Sequence, residues 1–545
     1  MAATPTISAK VATEVEVDKQ GNSEILTIDE YQLATLGYKQ EFLRSLGLFE
    51  SWAATLSTMN FVSGIPAMFG FVMITGGPKS AFANWTMVGG LSCIISLAMA
   101  ELAAALPTAG GIYYWSYNLG GKEWGPFLSW MTAWWNWASW ITVIPACQQG
   151  TANFLVAALE IQYPDLPVLS EGWFLWIVGS GGLLLSMLPN IYSPKILRIY
   201  LRVAIFVYFV LLSIYWIWFP LQASSAGHHF DMDILSKFYN GINTGNDQQA
   251  SDTYCWIIST LFGAWIFGGF DASAHLSEET LRASTTVARG IYMATLSGWL
   301  LSVPTLFIIL ICLQNFDGII SASYTTNFAE YLVQLLGKRG AVVVLAVLWV
   351  DSICGTGANF MSAQRVTYAI SRDHILPFSS VFRKLSSRKV PVNAAILVYC
   401  LSVAISAAVI GSTVAFSAIT ATAVIAANSS YIIPIVSRQT IARRTFVPAK
   451  WNLGKLSTPI ATVSTLWMLY LFVILMLPQQ YPVTRNTLNY APICIGIVGS
   501  FSLTGWFLPR WGARHWFHGP TRTVSTEVVS STRFENGGSY EQKVN

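Results

Sequence analysis

Charge is what this chain has least of. Only 11% of its 545 residues are Asp, Glu, Lys or Arg, 53% are hydrophobic, and the mean hydropathy is +0.50. Soluble domains carry roughly a quarter charged residues. A deficit spread along the whole length excludes a globular chain with one anchor and implies many membrane crossings. The net charge of +4 is too small to mark a nucleic-acid partner. Paired cysteines are also missing. Cys93, Cys147, Cys255, Cys312, Cys354, Cys400 and Cys494 all lie in or beside apolar segments with no CxxC spacing, which reads as packing thiols, not a disulfide or metal framework. No GxSxG, P-loop or HExxH is present, so nothing points to an enzyme, a cofactor or an ATP-driven pump. No cleavable leader is expected either, because residues 1–50 are polar and mixed in charge. They read as a tail whose first part is unstructured. In its second part Asp29 is expected to cap a short amphipathic helix on the membrane face.

What the chain has is apolar runs of about twenty residues, the length that crosses a bilayer. They fall at 51–75, 82–106, 125–157, 172–190, 199–220, 254–275, 287–312, 340–370, 392–411, 413–436, 459–478 and 488–509. These twelve expected spans make an all-α integral membrane protein. With the N-terminus inside, 17 Lys and Arg fall on interior loops and helix ends and 5 on exterior loops. That asymmetry is the one cytosolic loops show, and it puts both tails in the cytosol.

Span 6 is interrupted. Trp265 to Glu279 holds Gly268, Gly269 and Asp271 inside a membrane-length run. Freed backbone groups have no water to bond in lipid, so such a break is tolerated only where it faces protein or a polar cavity. Span 1 carries Ser63, Gly64, Ile65 and Pro66 near its middle. Breaks at matching places in two five-helix halves mark the binding site of a transporter; a lone one reads as an ordinary kink. A broken helix offers free N–H groups at one end and bare carbonyls at the other, which suits a zwitterion's carboxylate and ammonium.

Several side chains carry two readings. Asp271 either meets a substrate ammonium or the coupled proton, or caps its own half-helix. Asp351, midway along span 8, either binds a cation or proton or bonds a neighbouring hydroxyl. Ser352 and Thr356 share a helical face and either line a cation site or bond back to their own helix. Glu101 either gates by pairing with an arginine or sits in the headgroup zone. His275, Glu278 and Glu279 either gate through Arg282, Arg289 or Arg365 or form solvated surface. Trp130, Trp134 and Trp137 share one face of span 3, as a cation–π wall or as packing. His228 and His229, with Asp231 and Asp233, read as a solvated exterior loop more readily than as a metal site.

Taken together, these motifs resemble the amino acid–polyamine–organocation superfamily, and within it the fungal amino acid/choline/GABA permeases. The carrying residues are Leu36 to Glu41, Ala100 to Leu102, Pro107 to Trp115, Gly269 to Ala272 with Glu278 and Glu279, and Gln364 to Pro377. The resemblance covers roughly residues 30–510. It implies a five-plus-five inverted repeat (LeuT-like), with helices 1–5 in 51–220, helices 6–10 in 254–436, and two extra helices in 459–509 between cytosolic tails 1–50 and 510–545. It implies import of a small amino compound (amino acid, GABA or choline), usually proton-driven and otherwise sodium-driven, at the plasma membrane. The substrate would be held by Ser63, Gly64, Ile65, Phe267, Gly268, Gly269, Phe270 and Asp271. Some proton-coupled relatives place a lysine inside helix 5. Here Lys195, Arg198 and Arg202 stay at its start, so the coupling residue is open. A nutrient sensor with the same fold is the competing expectation, disfavoured by short tails.

Overall fold

The computed structural model describes residues 14–17, 23–225, 230–243, 248–411 and 413–524. Eight helices among them are long and apolar enough to cross a membrane: Gly77–Ala105, Gly172–Tyr192, Pro194–Ser225, Ala283–Ile311, Asn327–Arg372, Val392–Gly411, Phe416–Gln439 and Gly454–Ile474. Large apolar side chains stay exposed on their outer faces, with Phe206 70%, Leu300 58% and Leu466 63% accessible. Such faces suit lipid, not water.

The other expected spans are helical but built differently. Span 1 runs in three pieces, Leu48–Met59, Phe61–Ala67 and Phe69–Ile74. Span 6 runs as Asp252–Ser259 and Leu261–Ile266, loses helical form over 267–271, and resumes as Ala272–His275. Span 12 is the shorter helix Ala491–Phe507. Span 3 lies inside a 51-residue helix, Ile112–Gln162, bent at Gly121 where φ is 66°. Span 8 lies inside the 46-residue helix Asn327–Arg372, bent in the same way at Gly337 where φ is 71°. Both glycines sit where only a residue without Cβ turns without strain, and each is followed directly by a lysine. A short helix therefore leads into span 3 and another into span 8.

The tail is more ordered than expected. Glu14–Val17 pairs antiparallel with Ser23–Leu26; the rest of the stretch expected to be unstructured, residues 1–13 and 18–22, lies outside the described residues. The helix Ile28–Thr35 is capped by Thr27, not Asp29, in a reciprocal box with Glu30. The Asp29 carboxylate instead accepts the Arg282 and Ala283 amides at 2.7 and 3.1 Å, capping span 7. Leu33, Tyr38, Phe42 and Leu46 are buried against the rest of the protein. All seven cysteines are free thiols.

Candidate functional site

Spans 1 and 6 both lose their helical path at about half depth. Asn60 takes φ 28°, ψ 66° between two helical pieces, a left-handed turn that asparagine tolerates better than most residues. The break is at Asn60, not at Ser63–Pro66. There the Gly64 amide still bonds Asn60 O at 2.9 Å and the Met68 amide bonds Gly64 O at 3.1 Å. In span 6, Gly269 has φ 77°, and a Cβ on it would lie 2.6 Å from Thr58 Cγ2 of span 1. A Cβ on Gly64 would lie 3.0 Å from Ile266. Glycine thus lets the two broken spans touch. The Asn359 amide of span 8 donates to the freed Thr58 carbonyl at 3.2 Å.

Between them lies a cavity of about 640 Å³. Ser63, Gly64, Phe267, Gly268, Gly269 and Phe270 are on its wall. Two expected site residues are not. Ile65 is fully buried in the core, and Asp271 lies one layer behind the wall. Asp271 makes no side-chain cap to its own half-helix. Its carboxylate accepts from Tyr431 OH at 2.6 Å and Asn136 Nδ2 at 3.4 Å, and faces His275 Nε2 at 3.0 Å. It holds the break against spans 3 and 10.

Two more carboxylates stand behind the wall. Asp351 is 1% exposed and accepts from Asn60 Nδ2 at 2.8 Å. Glu160 accepts the Thr325 amide and hydroxyl at 2.8 and 2.5 Å. The described lining itself contains no Asp, Glu, Lys, Arg or His. It does contain two buried polar atoms without a partner, the Trp140 indole Nε1 and Asn60 Oδ1. Both atoms are covered by protein and do not face the open space, so a solute there reaches them only if the side chains turn. Neither was marked in advance. For Asn60 the signal was an amide inside an apolar run, and for Trp140 there was none that set it apart from its neighbours. Ser352 and Thr356 do not bond back to their own helix; both meet Thr151 Oγ1, at 3.0 and 3.2 Å, on the cavity wall.

The face near the N-terminal tail is shut. Glu278 takes both carboxylate oxygens to Arg372 Nη1 at 3.1 Å and accepts the Ala109 amide at 3.1 Å. Glu279 pairs with Arg365 Nε at 2.9 Å. All four side chains are at most 5% exposed, so solvated surface is the wrong description. Arg44 donates to the Ser277 and Thr280 carbonyls at 3.1 and 2.6 Å. Its guanidinium lies below the usual arginine range because burial disfavours its charge. Glu101 pairs with no arginine among the described residues. It accepts the Leu453 amide at 3.2 Å and the Ser457 hydroxyl at 2.6 Å, capping span 11.

The tryptophan face is packing. Trp134 meets Phe501 edge-on at 4.8 Å and Trp130 meets Phe517 at 5.7 Å, all outside the cavity. Trp134→Ala is expected to cost about 3 kcal/mol of stability, seen as a lower thermal midpoint in detergent. An unchanged midpoint would refute the packing role. His228 and His229 lie outside the described residues, and no cluster of three metal-ligating side chains occurs among those described.

The family model described as "Amino acid permease" matches residues 46–499. An amino-acid permease of Arabidopsis thaliana, BAT1, is 31% identical over 520 residues, covering 92% of this chain and 98% of its own. Its homologue in Oryza sativa is 30% identical over 90% of this chain and 95% of its own. The thiamine transporter thi9 of Schizosaccharomyces pombe is 28% identical, covering 90% of this chain and 88% of its own.

Proposed function

Since the chain belongs to the amino acid permease family, whose members here are transporters and not enzymes, we propose that it is a secondary active importer of a small amino compound. It would work by alternating access around the two breaks. The observation that carries this reading is the cavity wall, where two broken spans meet in a lining without a charged side chain. A substrate carboxylate would sit at the amides after Asn60. Its ammonium would face the carbonyls that end at Ile266. Neither group needs a charged side chain, which fits a lining with none.

Twelve spans in a five-plus-five inverted repeat are part of the proposal. Supporting it, the breaks recur in spans 1 and 6, and the glycine-hinged entry helices recur before spans 3 and 8. By the lysine and arginine count Lys122 lies inside and Lys338 outside, as an inverted repeat requires. The lining reaches Thr325, between spans 7 and 8, and Gln479, just past span 11, while the buried ion pairs of Glu278 and Glu279 lie on the tail side. With both tails cytosolic, this is an outward-open state sealed by the Glu278–Arg372 and Glu279–Arg365 pairs.

The test is uptake into proteoliposomes of radiolabelled amino acids, GABA, choline, polyamines and thiamine, with and without an inward proton gradient. Gradient-stimulated accumulation of at least one amino compound is expected. Binding without accumulation of any would overturn the reading in favour of a sensor.

A further inference from the structure

The segment after span 12 does not leave the protein. Residues 512–524 run back across the tail-side face, where three separate contacts pin them. Phe517 is 3% exposed and packs its ring 5.7 Å from Trp130 of span 3, which Trp516 also meets edge-on at 5.7 Å. The Thr521 amide donates to Asp373 Oδ1 at 3.0 Å, just past the end of span 8. The Thr523 amide donates to Gly37 O at 2.8 Å, and the Lys39 amide donates back to Thr523 Oγ1 at 2.7 Å. Two glycines admit this path. Gly519 has φ 116°, and a Cβ on it would strike the Tyr117 ring; a Cβ on Gly37 would lie 2.9 Å from Arg522.

The contacts are not scattered. Asp373 is the hub of the inner seal. Its other oxygen accepts from Tyr113 OH at 2.6 Å and Tyr38 OH at 3.1 Å. Arg372, next in the chain, holds Glu278 and lies 4.0 Å over the Tyr38 ring. Burial pushes the Asp373 carboxyl above the usual carboxylate range, against the opposing pull of Arg372 and these hydrogen bonds. The segment therefore stitches the stretch leading into span 1 to the ends of spans 3 and 8, across the seam that Glu278–Arg372 and Glu279–Arg365 close.

We infer that residues 512–524 form a strap that holds the cytosolic side of the transport cavity shut and must let go before that side opens. The inference rests on the transport reading above. Opening this side requires parting the Glu278–Arg372 and Glu279–Arg365 pairs, which join the end of span 6 to span 8. A segment bonded to both sides of that seam resists the motion, and its strength sets how often the motion occurs. Release is local, because the outer half of the strap is exposed: Thr521, Arg522 and Thr523 face solvent while Phe517 is the anchor.

Two variants test it in proteoliposomes. In Lys39→Cys/Thr523→Cys, oxidation closes a disulfide across the backbone pair. Oxidised protein is expected to fall to the background rate and to recover when reduced, while each single-cysteine control keeps its rate under the same oxidant. Phe517→Ala loosens the anchor and is expected to raise the initial rate about fivefold, the low end of coupling between sites. The strap is overturned if the oxidised double variant, shown to be cross-linked, carries substrate as fast as the reduced one. That result differs from failure of the transport reading, in which wild-type protein moves no amino compound at all. Should Phe517→Ala fail to fold, the cross-link alone decides.

Discussion

Arg372→Ala is expected to cost about 3–5 kcal/mol, enough to remove most of the protein from the membrane. The reason is the carboxylate left behind. Glu278 is 1% exposed, and without Arg372 its remaining partner is the Ala109 amide. Asp373 and the Tyr38 ring lose the same cation. A buried ion pair adds little over an apolar pair of equal volume, but half of one is an uncompensated charge. The double variant Glu278→Gln/Arg372→Met is therefore expected to regain most of the stability. It should also open the inner seal more often, raising substrate leak. Contrast Arg202–Glu50 at 2.8 Å: Glu50 is only 7% exposed, but it keeps the Gly47 amide at 3.0 Å and Arg202 is 59% exposed, so water can replace the guanidinium and the loss is about 1 kcal/mol. Arg202→Ala should barely move the midpoint. Monodispersity and thermal midpoint of the purified variants check all three. Equal loss from Arg372→Ala and Arg202→Ala would show that burial does not set the ranking.

Which parts of this were legible in the sequence follows from how far each interaction reaches. The helices were, because an apolar run of about twenty residues is a local property. The break in span 6 was, because Gly268 and Gly269 announce a backbone that leaves the helix, and Gly269 takes φ 77°. The break in span 1 was displaced by one turn. Gly64 and Pro66 look like the breaker, yet the helical bonds run on through Gly64, and Asn60 makes the turn. Pro66 is the sixth residue of the piece Phe61–Ala67, and the Val62 carbonyl it cannot bond accepts from Tyr215 OH at 2.6 Å, while an asparagine in an apolar run gives no comparable warning. Partners far apart in the chain were not legible at all. Glu101 caps a helix that starts at Ser457, and Asp29 caps one that starts at Ala283. Composition offered only the general alternatives of gate or surface, and the packing of distant spans chose neither. The tryptophan face misled for a related reason: periodicity locates a face but not what lies against it, and Phe501 and Phe517 come from the other end of the chain.

Asp351→Asn is expected to abolish most of the response of uptake to a proton gradient, about tenfold or more in accumulation, while leaving the protein folded. The geometry sets Asp351 apart from the other carboxylates behind the cavity wall. Asp271 faces His275 and accepts two further hydrogen bonds. Glu160 is held by the amide and hydroxyl of Thr325. Among the described residues Asp351 has no cationic side chain beside it; the Asn60 amide is its donor at 2.8 Å, and the Ser63 hydroxyl adds a second. An ionised carboxylate held at membrane depth by neutral groups alone is costly, and a proton or a cation relieves it. Both donors belong to the broken stretch of span 1, so the charge on Asp351 bears directly on the turn at Asn60 that shapes the substrate site. Asparagine keeps the volume and can still accept from Asn60, which isolates the titration from the packing. Initial rates at two pH values, with and without the gradient, read the result. If the pH profile of Asp351→Asn matches that of the wild type, the coupling proton does not pass through this carboxyl. The hydroxyl cluster of Thr151, Ser352 and Thr356 would then be the next place to look, with sodium in place of the proton.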